Sequence, residues 1–213
     1  MKSGPVKQLE LLIVQSRIPD SDPMQPTPSD GDLLRRLGSG DEDAFLTLYR
    51  RHQGTVYRFA LRMSGKTEIA DEVTQEVFLE FMRGKSRFDP QRGAFASFLY
   101  GVARNHVLRA LQRERPYAES LDDPGSDVGD VSESVGDVLG DLTRGERMES
   151  LRQAVLGLPV LYREVVVLCE FDEMDYADAA IALSCPVGTV RSRLHRARAL
   201  LVQKMRAGER CPA

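Results

Sequence analysis

Apolar residues recur along this chain at intervals of three and four, the period of a helix with one buried face, and there is almost no strand signal. Leu33, Leu34 and Leu37 form the first stripe, which Gly38 and Gly40 end. Asp41 is placed to cap a second helix carrying Ala44, Phe45, Leu48, Val56, Phe59 and Ala60. After a turn at Gly65-Lys66, a third stripe runs through Ile69, Val73, Val77, Phe78 and Phe81. Residues 84–93 read as a basic loop with Asp89-Pro90. A fourth helix, from about Ala94 to Arg113, turns Phe95, Phe98, Leu99, Val102 and Leu108 inward, and Pro116 stops it.

A second helical block begins near Arg147. Leu151, Val155 and Leu158 share a face, Leu158-Pro159 breaks it, and Val165 to Leu168 belong to the next helix. Asp175 is placed to cap a short helix, and Pro186 suits the first turn of a long final one, whose stripe is Val190, Leu194, Ala197, Leu201 and Met205. The pattern predicts an all-α fold of two small helical domains, residues 29–115 and 147–207. Residues 1–28 form a proline-punctuated tail with at most a brief helical turn at 8–15, and 208–213 a second tail. The segment 116–146 is an acidic linker, with Glu119, Asp122, Asp123, Asp127, Asp130, Glu133, Asp137 and Asp141 uninterrupted by Lys or Arg up to residue 143.

Hydrophobic residues at 42% and charged residues at 29% fit a packed chain. The net charge of −3 excludes a protein that is basic throughout, but not local cationic faces. Cys169, Cys185 and Cys211 are scattered, which suggests a reducing compartment, and with His52, His106 and His195 they make no zinc-like spacing. The longest apolar run near the start, Leu11 to Val14, is far too short to span a membrane. We therefore expect a cytoplasmic protein with no metal, no cofactor, no membrane insertion and no small-molecule substrate. Nucleotide-binding, protease and hydrolase fingerprints are missing, so an enzyme is not expected.

Two faces carry chemistry. Tyr176 to Leu194 reads as helix, turn, helix, with Ala180 small enough for close crossing and Leu183, Val190 and Leu194 as shared core. From Asp178 to Glu209 no acid intervenes, while Arg191, Arg193, Arg196, Arg198, Lys204 and Arg206 do occur. Such a helix suits the major groove, with arginine bonding guanine edges and other cations holding phosphates; the competing reading is a solvated amphipathic helix. Upstream, Arg83, Lys85, Arg87, Arg92, Arg104, Arg109, Arg113 and Arg115 face only Asp89 and Glu114, with Phe88, Phe95, Phe98 and Tyr100 among them. Cations beside aromatic faces suit a single strand with unstacked bases; the alternative is that the aromatics are core, which helical spacing favours for Phe95 and Phe98 and leaves open for Phe88 in the loop.

The segment from Cys185 to Arg198, Cys-Pro-Val-Gly-Thr-Val-Arg-Ser-Arg-Leu-His-Arg-Ala-Arg, resembles region 4.2 of the extracytoplasmic-function sigma factors, and Leu158-Pro159 with Tyr162-Arg163-Glu164-Val165 resembles their region 4.1. Asp41 to Phe45 with Leu48 to His52, Asp71 to Leu79, Phe88-Asp89-Pro90 and Phe98 to Asn105 resemble regions 2.1 to 2.4. The resemblance implies an alternative sigma factor that binds core RNA polymerase at the β′ clamp helices and β flap. It would direct promoter recognition, DNA melting and initiation in a stress or envelope response governed by an anti-sigma factor. It implies that Asp71, Glu72, Gln75 and Glu76 meet polymerase. Arg87, Phe88, Arg92, Arg104, Asn105 and Arg109 would serve the −10 region. Arg191, Ser192, His195 and Arg196 would read the −35 element, and Arg163, Thr189, Arg193 and Arg198 would hold phosphates. The chain departs from the family pattern at Phe98, where tryptophan is usual, at Ala179, at Ile181, where a polar residue is common, and at Ser184, where glycine or a residue tolerant of left-handed backbone is usual.

Promoter elements two helical turns apart lie on the order of 70 Å from each other. The linker would span roughly 30 Å relaxed and about 100 Å stretched, so binding both elements should extend it. Two readings of its carboxylates stay open: imitation of nucleic acid in the polymerase's RNA exit path, or a plain solubilising tether.

Overall fold

The computed structural model describes residues 28–84, 87–114 and 144–209; the N-terminal tail, the acidic segment from 115 to 143, Lys85, Ser86 and the last residues lie outside them. The described residues form helices α1 (Asp30–Gly38), α2 (Glu42–Ser64), α3 (Thr67–Met82), α4 (Phe95–Glu114), α5 (Arg144–Leu156), α6 (Val160–Val166), α7 (Tyr176–Leu183) and α8 (Val187–Glu209). A short 3₁₀ turn, Pro90–Arg92, precedes α4, and a π turn, Val167–Phe171, extends α6. Helix α5 starts three residues before the boundary the sequence suggests.

Local chemistry explains the helix ends. Ser29 and Asp32 cap α1 reciprocally, each side chain accepting from the other's backbone N–H. Asp41 accepts from Asp43 and Ala44 at the start of α2, and Asp175 from Asp178 at the start of α7. Gly65 closes α2 in left-handed backbone at φ 74°. Ser184 ends α7 at φ 52° and ψ 44°, the same geometry adopted by a residue with a side chain.

Helices α1 to α4 pack as one bundle around Phe45, Leu48, Phe59, Met63, Val73, Val77, Leu99 and Val107. Helices α5 to α8 form the second, around Val165, Val167, Leu168, Ala179, Val190, Leu194 and Ala197. The expected shared core of Leu183, Val190 and Leu194 is buried as read, Ala180 is buried with it, and Ala179 is wholly enclosed. Sequence periodicity does not reveal the relation between the bundles. They pack face to face, α4 along α7 and α2 against α5, α6 and the π turn, so their buried residues join in one continuous core.

Candidate nucleic-acid interface

Helix α8 presents the second bundle's cationic face. Arg191, Ser192 and His195 are exposed and Arg196 half-buried, at spacings that put all four on one side of the helix. Ser192 Oγ donates to the Thr189 carbonyl at 3.1 Å, and the Arg191 guanidinium lies 5.9 Å from the Tyr176 ring centroid, which orients it across the helix pair. The left-handed turn at Ser184 sets the angle at which α8 leaves α7. Arg198 is exposed, with Nε 3.1 Å from Glu170 Oε1.

The remaining residues expected on phosphate are placed differently. Arg193 is half-buried, with its Nε enclosed and unbonded. Arg163 turns inward and donates to the carbonyl oxygens of Met63, Leu156 and Leu158, so it ties α6 to the end of α2 rather than extending the α8 surface. Thr189 is half-buried near the start of α8.

In the first bundle, Arg87, Phe88, Arg92, Arg104 and Asn105 come together around a cavity of about 270 Å³, while Arg109 stands exposed outside it. Asp89 shapes the rim by accepting from Gln91 N at 3.0 Å, with Pro90 starting the 3₁₀ turn. Phe95 is core, 3% exposed. Phe88 and Phe98 are half-buried and both line the cavity: Phe88 lies edge-on to Phe95 at 5.3 Å between centroids, Phe98 stacks on Phe95 at 6.0 Å, and the two are tilted against each other at 5.6 Å. Phe98 thus supplies an aromatic wall to the cavity. Helix α3 displays Asp71, Glu72 and Gln75 exposed and Glu76 half-exposed, an acidic ridge on which Glu72 pairs with Arg113 at 2.8 Å.

The sequence reading missed the groups that join the bundles. Glu164, wholly buried, is ion-paired with Arg104, whose Nε lies 2.9 Å from Glu164 Oε2. Burial pushes its carboxyl above the ordinary range, against the pull of Arg104 and Arg193. Asp172 pairs with Arg62, whose guanidinium sits 5.0 Å from the Phe171 ring centroid. Burial also raises Asp172, and the Tyr100 phenol is raised by burial and by Asp172. Ile181, Ala182 and Ser184 of the second bundle close the cavity of the first. An acid beside the apolar run Val165 to Leu168 was the one available hint.

Comparison with known proteins places this geometry. Residues 48–117 match the Sigma-70 region 2 family and residues 148–201 the Sigma-70 region 4 family. The chain is 30% identical over 178 residues to the ECF RNA polymerase sigma factor SigW of Bacillus subtilis, covering 81% of this chain and 95% of that one. It is 34% identical over 191 residues to the ECF RNA polymerase sigma-E factor of Escherichia coli, covering 83% and 94% respectively. Among solved structures it resembles CnrH in complex with the cytosolic domain of CnrY, at 25% identity and a TM-score of 0.62 over 84% of this chain and 99% of that one. The Bartonella quintana sigma factor RpoE, solved with the anti-sigma factor NepR, shares the fold at 19% identity and a TM-score of 0.56, over 76% and 96%.

Proposed function

This chain belongs to the extracytoplasmic-function RNA polymerase sigma factors, and from that premise we propose how its surfaces divide the work of initiation. It is an alternative sigma factor that binds core RNA polymerase and directs promoter recognition and transcription initiation under anti-sigma control. Residues 29–115 serve polymerase and the −10 element, and 147–207 the −35 element. The work is binding and strand separation in the cytoplasm, without catalysis.

The observation that carries this assignment is the gathering of Arg87, Phe88, Arg92 and Asn105 around one cavity, cations and an aromatic face of the kind that hold an unstacked base. Flipping a base out of the duplex costs a few kcal/mol. Stacking on Phe88 or Phe98, at about 1–3 kcal/mol, offsets that. Arg191, Ser192, His195 and Arg196 read base edges in the −35 major groove, Arg191 at about 1–3 kcal/mol for a bidentate guanine contact. Arg198, Arg193 and Thr189 hold phosphates in a salt-dependent way, while Arg163 supports them from beneath by tying α6 to the end of α2. The acidic ridge Asp71, Glu72, Gln75 and Glu76 takes the polymerase clamp, and the second domain docks on the β flap.

Run-off transcription on promoter templates, with core polymerase and with or without the purified chain, tests the whole reading. Selective start sites should appear only with the chain. Charge reversal at Asp71 and Glu72 should weaken association with core, and Arg191→Ala should lower selectivity at the upstream element. A chain that binds core but adds no start-site selectivity overturns the assignment.

A further inference from the structure

The aromatic wall of the base cavity depends on rings behind it. Phe88 sits in the loop before α4, where no helix fixes its side chain. It rests on Phe95, which also carries Phe98 and meets the Phe81 ring at 5.2 Å between centroids. Phe95 is buried and does not line the cavity, so it acts by holding the rings that do.

A fourth ring reaches Phe95 from α2. The His52 imidazole stands edge to it at 5.4 Å between centroids and 81° between planes. Its Nε2 lies 2.8 Å from Asp30 Oδ2. A carboxylate can only accept, so Nε2 carries the hydrogen and the imidazole is held in one tautomer. It is also held in one orientation, because turning the ring about its last torsion would break that bond. A plain apolar ring at this position would bury as well but could slide; the bonded imidazole keeps the edge-on geometry that aromatic pairs prefer. Asp30 is anchored in turn. It opens α1 and takes the Arg51 guanidinium on its other oxygen, while Arg51 donates to the Pro28 carbonyl at 2.9 Å. Helix α1 precedes the stretch that matches Sigma-70 region 2, which begins at residue 48. Asp30 is nonetheless linked to the cavity wall through two rings, His52 and Phe95.

We propose that His52 is a positioning residue for promoter melting: oriented by Asp30, it braces Phe95 and so holds Phe88 and Phe98 in the pose that receives the unstacked base. This rests on the assignment of that cavity to the −10 element. His52 acts through Phe95 and not by contact with DNA. An aromatic pair contributes a factor of roughly two to ten beyond its buried area, and that is the scale on which base capture should weaken when the brace is lost.

The test uses holoenzyme assembled from core polymerase and the full chain, on a template that gives a selective start in the run-off assay. The readout is the lifetime of the heparin-resistant complex. His52→Gln keeps a donor for Asp30 but loses the ring, and should shorten that lifetime about two- to tenfold. Asp30→Ala keeps the ring but frees it, and should shorten the lifetime in the same direction; it lies at a helix start, so it keeps the test alive should His52→Gln unfold. Asp30→Asn retains an accepting oxygen and should restore the wild-type lifetime. The decisive arm places a single abasic nucleotide at each −10 position of the non-template strand in turn. At the position whose base is captured, wild type and both shortened variants should become equal, because the brace then has no base to serve. A defect of folding alone would persist on every template. Unchanged lifetimes for both His52→Gln and Asp30→Ala, or a loss that remains undiminished at every abasic position to which wild type responds, overturns the proposal. A wild type that gives selective starts yet ignores every abasic position refutes the base-cavity assignment, and this proposal with it.

Discussion

Removing either half of the buried Arg104–Glu164 pair should have very different consequences. At about 4 Å between charge centres and an effective dielectric near 20, the attraction is worth about 4 kcal/mol. Desolvating the two ions costs several kcal/mol each. The upward displacement of the Glu164 carboxyl says that desolvation outweighs Arg104's attraction at this site. Arg104→Ala leaves a wholly buried carboxylate with only Arg193 nearby, a loss of about 3–5 kcal/mol at neutral pH. Glu164→Gln removes the costly charge itself. Arg104 retains 19% side-chain exposure and reaches water, so this change should cost less than about 1.5 kcal/mol. The pH dependence follows in sign. A carboxyl whose folded pKa is raised contributes stability when protonated, fully present below its ordinary value and lost as pH rises through the raised one. Acidification from pH 7 to about 5 should therefore shrink the Arg104→Ala penalty, each variant being compared with wild type at the same pH. Exposed carboxyls such as Asp32, held low by Ser29, and Asp41, held low by Arg36, stay ionised in that window and do not obscure the trend. Urea unfolding followed by far-ultraviolet circular dichroism suits a chain without tryptophan. Equal losses for the two variants, or an Arg104→Ala penalty indifferent to pH, would refute the reasoning.

Three further outcomes can be measured simply. Gly65→Ala should destabilise by about 1–2 kcal/mol from left-handed backbone alone, and further from overlap with Leu156, whose Cδ1 lies 2.8 Å from the new β-carbon; adding Leu156→Ala should relieve only the second part in urea titrations. Ser184→Gly should stabilise the fold by roughly 0.5–1 kcal/mol and so raise the urea midpoint, because the turn demands φ 52° of a residue with a β-carbon; a loss would mean that the hydroxyl matters more than the backbone. Cys169, pushed up to about 11 by burial and then by Glu170, should react slowly with iodoacetamide at pH 7.5 and speed up only in strongly alkaline buffer, as read by intact mass.

Periodicity and capping residues determined the helices of this protein, because both are local. An apolar stripe at helical spacing and a Ser or Asp at the N-cap act within a few residues, so α1 to α4, α7 and α8 could be read from the chain, as could the cationic face of α8 and the acidic ridge of α3. The acidic segment and its expected path lie outside the described residues. The start of α5 at Arg144 and the π turn at Val167–Phe171 were not legible, since neither leaves a distinctive pattern. What only the tertiary structure decided is where the two bundles meet. No spacing rule links Arg104 to Glu164, Arg62 to Asp172 or Gly93 to Ile181, each pair far apart in the chain. Their association depends on shape and desolvation at a surface formed only after both bundles have folded. For that reason Arg104 and Arg163, read from sequence as cations for DNA, are found holding the protein to itself.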